Sequence, residues 1–186
     1  MPTVHDYYLA AQDLMADGDP SRVTIEALCQ HVGTTSGSFY HHFGSHDGFV
    51  AALSANWVER ITVGLKTASS HSADLATARR LVHRQIMRQS HEQEAAFRAW
   101  ARNNLAVRQA VEQVDKVRSE ASKTLVKAIA PTLDARTASD YAEILSLVLI
   151  GAQAHDPTTS AKVFTRALTT LASLITHATA QSETNS

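Results

Sequence analysis

The chain of 186 residues has a single cysteine, Cys29. One thiol excludes an intrachain disulfide framework and a cysteine-rich zinc site, and Cys29 reads as a small buried hydrophobe. Breakers are also scarce, with four prolines and seven glycines, which favours long helices over a turn-rich fold. No stretch is apolar for the length a membrane helix needs, so no membrane partner is expected. The start, MPTVHDYYLAAQ, shows no basic region followed by an apolar run, and a cytoplasmic protein is expected. There is no GxSxG, P-loop, HExxH or CxxC, so no enzyme, cofactor or metal centre is expected.

Positive charge is missing where it would be informative. Residues 1–50 hold one basic residue, Arg22, against six acidic ones (Asp6, Asp13, Asp17, Asp19, Glu26 and Asp47), a balance of −5 with histidines neutral. Residues 51–186 hold 16 basic and 12 acidic residues, or +4. Charge alone therefore does not point the N-terminal segment at nucleic acid. Half of the ten histidines lie in that segment, His5, His31, His41, His42 and His46, and protonated imidazoles would soften its field near a polyanion.

What the sequence does contain is helical periodicity. Val4, Tyr7, Tyr8, Ala11, Leu14 and Met15 recur at three- and four-residue intervals, predicting a first amphipathic helix that Gly18, Asp19 and Pro20 end. Thr24 is placed to cap a second helix over about 25–31, Gly33 marks a turn, and a third helix follows over about 35–42. Ser45 can cap a long fourth helix whose stripe is Val50, Leu53, Trp57, Ile61 and Leu65. Further helices are predicted over about 73–89, 91–102, 107–125 and 137–155, with a last one carrying Phe164, Ala167, Leu168, Leu171, Leu174 and Ile175. No sustained period of two argues for a strand. The expectation is an all-α protein of about nine helices, divided into two domains at 1–46 and 47–186.

Residues 24–49 read TIEALCQHVGTTSGSFYHHFGSHDGF. Two short helices joined at Gly33 are what a helix-turn-helix requires. Ile25, Leu28, Cys29, Val32, Phe39 and Phe43 have the spacing of a small shared core, which leaves Thr34, Thr35, Ser36, Ser38, Tyr40 and His41 outward. The segment resembles the tetracycline-repressor (TetR) family. The resemblance rests on Leu28-Cys29, Gly33-Thr34-Thr35, Gly37-Ser38-Phe39-Tyr40-His41-His42-Phe43 and Ser45-His46, about a quarter of the chain. It implies that Thr24, Thr35, Tyr40 and the residue at His46 touch phosphates, and that Thr34, Ser36, Ser38 and His41, with Gly37 between them, face base edges. The chain departs from the family where His46 stands in place of lysine, Thr34 in place of valine and Cys29 in place of alanine.

For the C-terminal part the same resemblance implies a homodimer through the last two helices and a small-molecule effector. Ile144, Leu145, Val148, Leu149, Phe164, Leu168, Leu171 and Ile175 are the expected interface, and His83, Met87, His91, Phe97, Trp100 and Tyr141 the expected pocket. The function these readings imply is a transcriptional regulator, a repressor released from operator DNA by a small molecule. The alternative is a helical small-molecule-binding dimer with weakened DNA binding, which the acidic N-terminal segment motivates.

Overall fold

A computed structural model describes residues 2–70, 80, 84, 91–156 and 158–184, with the side chains of 68–70, 128 and 178–184 outside the description. The described residues are helical throughout, without strands: α1 (Val4–Leu14), a 3-10 turn (Pro20–Arg22), α2 (Ile25–Val32), α3 (Ser36–Phe43), α4 (His46–Ser70), α5 (His91–Trp100), α6 (Leu105–Ile129), α7 (Ala135–His155) and α8 (Ser160–Thr184). The expected all-α fold holds. The helix predicted over 73–89 lies outside the described residues.

Short polar caps set the boundaries. Thr3 and Asp6 form a reciprocal capping box at α1. Thr24 Oγ1 accepts from the Ala27 amide at 3.1 Å and starts α2. Gly33 ends α2 at φ +70°, a left-handed conformation that a side chain would strain. Ser45 Oγ accepts from the Gly48 amide at 2.9 Å as α4 begins. Asp134 accepts from the amides of Arg136 and Thr137, at 2.9 and 3.0 Å, and starts α7.

The chain forms two compact units. The first comprises residues up to Arg60 together with 92–113. Its centre is aromatic: Tyr7 of α1, Phe39 and Phe43 of α3, and Phe49 of α4 meet with ring centroids 5.0 to 5.7 Å apart. Such edge and tilted contacts add to the burial of large rings. Leu28, Cys29 and Met15 are buried in the same unit, and Trp57 of α4 stacks on Phe97 of α5 at 4.5 Å.

The second unit comprises 61–91 and 114–186. Its core joins Leu125 and Val126 of α6, Ala142, Leu145 and Leu149 of α7, and Phe164, Leu168 and Ile175 of α8. A buried polar cluster sits apart from that core, where His91 Nδ1 lies 2.7 Å from Ser160 Oγ and 3.3 Å from Gln153 Nε2.

Candidate nucleic-acid interface

Helix α3 is amphipathic over only two turns. Phe39 packs inward with no exposure, while Ser36, Gly37, Tyr40 and His41 lie on the surface, Tyr40 being 50% exposed. Thr35, the residue that caps α3 by position, makes no side-chain capping bond and is exposed. Its hydroxyl therefore does not satisfy any of the first α3 amides. Thr34 is half-buried. Ser38 is half-buried as well, because its Oγ accepts a hydrogen bond from the Tyr7 hydroxyl at 3.3 Å. Tyr7 was legible in the sequence only as an apolar position of α1; its polar tip is the part that spacing could not reveal. Thr24 is exposed at the start of α2.

His46 departs furthest from a simple phosphate contact. It is half-buried, and its Nε2 lies 2.8 Å from the Val23 carbonyl oxygen. A carbonyl only accepts, so Nε2 carries the proton and donates, which leaves Nδ1 as the nitrogen free for another partner. The ring also lies beside Phe49 and Trp100. His46 thus ties the start of α4 to the residue before α2, a bond that a lysine ammonium on a flexible stem would not hold so rigidly.

The acidic residues of this segment have local tasks. Thr3 hydrogen bonds, backbone first and then side chain, hold the Asp6 carboxyl below the usual carboxylate range. Asp13 meets His31 at 3.1 Å, Asp17 pairs with Arg22, and Asp19 caps the 3-10 turn. Glu26 and Asp47 lie in the first turns of α2 and α4, where a helix dipole favours negative charge. None of the six lies on α3. Cys29 is buried, and burial pushes its thiol up, away from the reactive thiolate.

A short polar helix presented outward on an aromatic core, behind a left-handed glycine turn, is the geometry of a helix-turn-helix reader. Residues 9–53 match the family of bacterial regulatory proteins, tetR family. The match is confined to the N-terminal segment, from within α1 to within α4, and it is this segment that is similar to that family. Its fold is shared with a TetR transcription regulator from Haloarcula marismortui ATCC 43049 (TM-score 0.75, 14% identity, 92% of this chain and 96% of that one). It is shared too with a candidate transcriptional regulator from Pseudomonas aeruginosa PAO1 (TM-score 0.68, 14% identity, 91% of this chain and 90% of that one). No curated protein sequence matches significantly. Among the described residues no helix is long and apolar enough to cross a membrane.

Four of the six residues expected to form an effector pocket lie among the described residues, two in each unit. Phe97 is stacked on Trp57 and Trp100 lies beside His46, both in the first unit. His91 is buried against Ser160 and Gln153, and Tyr141 packs against the core of the second unit. His83 and Met87 lie outside the described residues. The second unit instead contains a cavity with an interior of about 30 Å³. Asp115, Arg118 and Ser122 form a polar wall from α6, and Leu65, Leu145, Leu149 and Phe164 line it with apolar groups. Arg118 is buried, a placement that helical spacing did not single out.

The expected dimer residues also divide. Leu145, Leu149, Phe164, Leu168 and Ile175 are buried in the core of their own unit. Val148 and Leu171 are half-buried, and Ile144 is 47% exposed. Leu147 and Leu174, each 60% exposed, complete the apolar groups that α7 and α8 leave outside. Residues 144–151 of α7, ILSLVLIG, are apolar nearly all round, so periodicity cannot tell the inner from the outer face of this run.

Proposed function

We propose that this protein is a homodimeric, ligand-responsive regulator of the TetR type that represses transcription and leaves its operator when a small molecule binds. Residues 1–46 serve as the DNA-binding domain and 47–186 as the ligand-binding and dimerisation domain. The carrying observation is the outward face of α3, where Thr35, Ser36, Gly37, Tyr40 and His41 are exposed while Phe39 is buried. Small hydroxyls and uncapped amides at a helix start suit phosphate and base edges without requiring lysine. In this reading Thr24, Thr35, Tyr40 and the Nδ1 side of His46 touch phosphates, and Thr34, Ser36, Ser38 and His41 reach bases.

The partner is double-stranded operator DNA, read by two copies of α3 about one helical turn (~34 Å) apart. Ile144, Leu147 and Leu174, with Val148 and Leu171 behind them, form the apolar surface that a second copy covers. The effector enters the cavity of the second unit. A volume of about 30 Å³ holds about two waters, so an effector must part the walls. One wall residue is Leu65 of α4, a helix that runs unbroken from His46 to Ser70. Ligand and DNA then oppose each other by linkage.

The test is selection of genomic fragments by the purified full chain, followed by titration of the winning duplex at several salt concentrations. A specific complex at moderate salt with a shallow salt slope is expected, since few fixed cations release few counterions. Enrichment of no fragment over random DNA overturns the reading. That outcome favours instead a small-molecule-binding dimer, whose motivating observation is the absence of lysine and arginine from residues 24–49.

A further inference from the structure

We infer that DNA binding by this protein is proton-linked, and that His41 on α3 is the residue that takes up the proton as the helix docks. The inference rests on the DNA-binding reading above. It starts from a shortage: residues 24–49 contain no lysine or arginine, and Arg22 just before them is paired with Asp17. The positive charge that the segment can bring to a phosphate backbone is therefore imidazolium.

Geometry separates the five histidines. His31 faces Asp13, and its charge is matched within the protein. His42 is half-buried, with Nε2 3.1 Å from the Pro2 carbonyl oxygen and the ring against Tyr7 and Phe43. His46 donates to the Val23 carbonyl and is half-buried. His5 lies on α1 next to Asp6, on which it acts electrostatically. His41 is exposed on the outward face of α3, and its recorded ring neighbour is His42 of the same helix, 5.6 Å away between centroids.

The charged groups on the helices around α3 are committed elsewhere. On α1, Asp6 holds Thr3 and Asp13 holds His31; Glu26 lies in the first turn of α2 and Asp47 in the first turn of α4. No carboxylate is recorded bonded to His41 among the described residues. A docked duplex changes that environment, bringing about one negative charge per 1.7 Å of axis. Imidazole is the side chain whose charge changes between about pH 5 and 8, and a polyanion favours its charged form. Each protomer therefore gains a proton on binding, so affinity rises as pH falls and weakens as pH rises.

The experiment uses the full chain and a fluorescent duplex of random sequence, about 24 base pairs long, at fixed ionic strength. Anisotropy titrations at pH 6 and pH 8 are expected to show affinity at least ~10-fold stronger at the lower pH. His41→Gln should remove most of that difference by weakening binding at pH 6. His41→Arg should bind at pH 8 as well as the parent does at pH 6, because its charge does not titrate. Melting curves of both variants should match the parent, His41 being exposed and without a recorded hydrogen bond. Equal parent affinity at the two pH values overturns the inference, as does a His41→Gln variant that keeps the full pH dependence, or a His41→Arg variant that stays weak at pH 8. Absence of any complex with this duplex at either pH overturns the linkage, whereas the DNA-binding reading stands or falls on the genomic selection described above.

Discussion

Individual side chains explain how a segment of net charge −5 coexists with the DNA-reading role proposed for α3. Its carboxylates cap helices, lie in first helical turns or meet Arg22 or His31, and α3 itself carries none. What α3 shows to solvent includes no carboxylate, lysine or arginine but is rich in donors, and Tyr40 is its largest exposed group. Tyr40→Phe removes a hydroxyl for which no protein partner is recorded. It should weaken binding to a selected duplex by about 1 kcal/mol while leaving the melting temperature within error; an equal fall in stability would place Tyr40 in the core instead. Gly48 is held by a different constraint. A methyl group there would come within 2.2 Å of the Phe43 carbonyl oxygen, a backbone atom that cannot step aside. Gly48→Ala should therefore destabilise the protein by about 1–3 kcal/mol in urea denaturation; a neutral result would mean that the turn between α3 and α4 is looser than described.

At the scale of elements, the two threonine caps of the helix-turn-helix separate stability from function. Thr24 uses its hydroxyl to cap α2, whereas Thr35 makes no such bond at α3. Thr24→Ala should cost about 1 kcal/mol of stability. Thr35→Ala should cost less than half of that and still weaken DNA binding, a pair of results readable from denaturant midpoints and duplex titrations. Asp134 gives the helix-cap argument a pH axis. Hydrogen bonds from the Thr137 side chain, then the Thr137 amide, then the Arg136 amide hold its carboxyl below the usual carboxylate range. A depressed carboxyl stabilises the fold above the unfolded value of about 3.9, and that contribution is lost as pH falls through the folded value. The melting temperature of Asp134→Ala should thus lie below the parent at pH 7, with the gap closing as pH drops below about 4. A gap that stays constant with pH would detach the cap from the carboxylate. The caps and stop at Thr24, Gly33 and Ser45 were legible in the sequence because they act through bonds to residues about three positions away. The Tyr7–Ser38 and His46–Val23 bonds were not, since they join positions 31 and 23 residues apart that helical period leaves unordered.

At the scale of the whole molecule, the same limit of periodicity decides which apolar residues remain for a second copy. A helix that is apolar nearly all round announces burial without naming the buried side. Leu149 and Leu147 belong to one such run, yet Leu149 lies in the core and lines the cavity while Leu147 is 60% exposed. Substitutions at these two positions should accordingly have different consequences. Leu149→Ala should lower stability by about 2–5 kcal/mol, without first changing the association state. Leu147→Asp combined with Leu174→Asp places charges where each side chain is 60% exposed in the protomer, so the helices should keep their far-ultraviolet signature. If the exposed groups of α7 and α8 are the surface a partner covers, sedimentation equilibrium of the double variant should give the protomer mass where the parent gives twice that mass. The variant should also lose specific duplex binding, because one copy of α3 spans a single half-site. A double variant that remains dimeric would move the interface off this face, and with it the spacing of the two recognition helices on which operator binding depends.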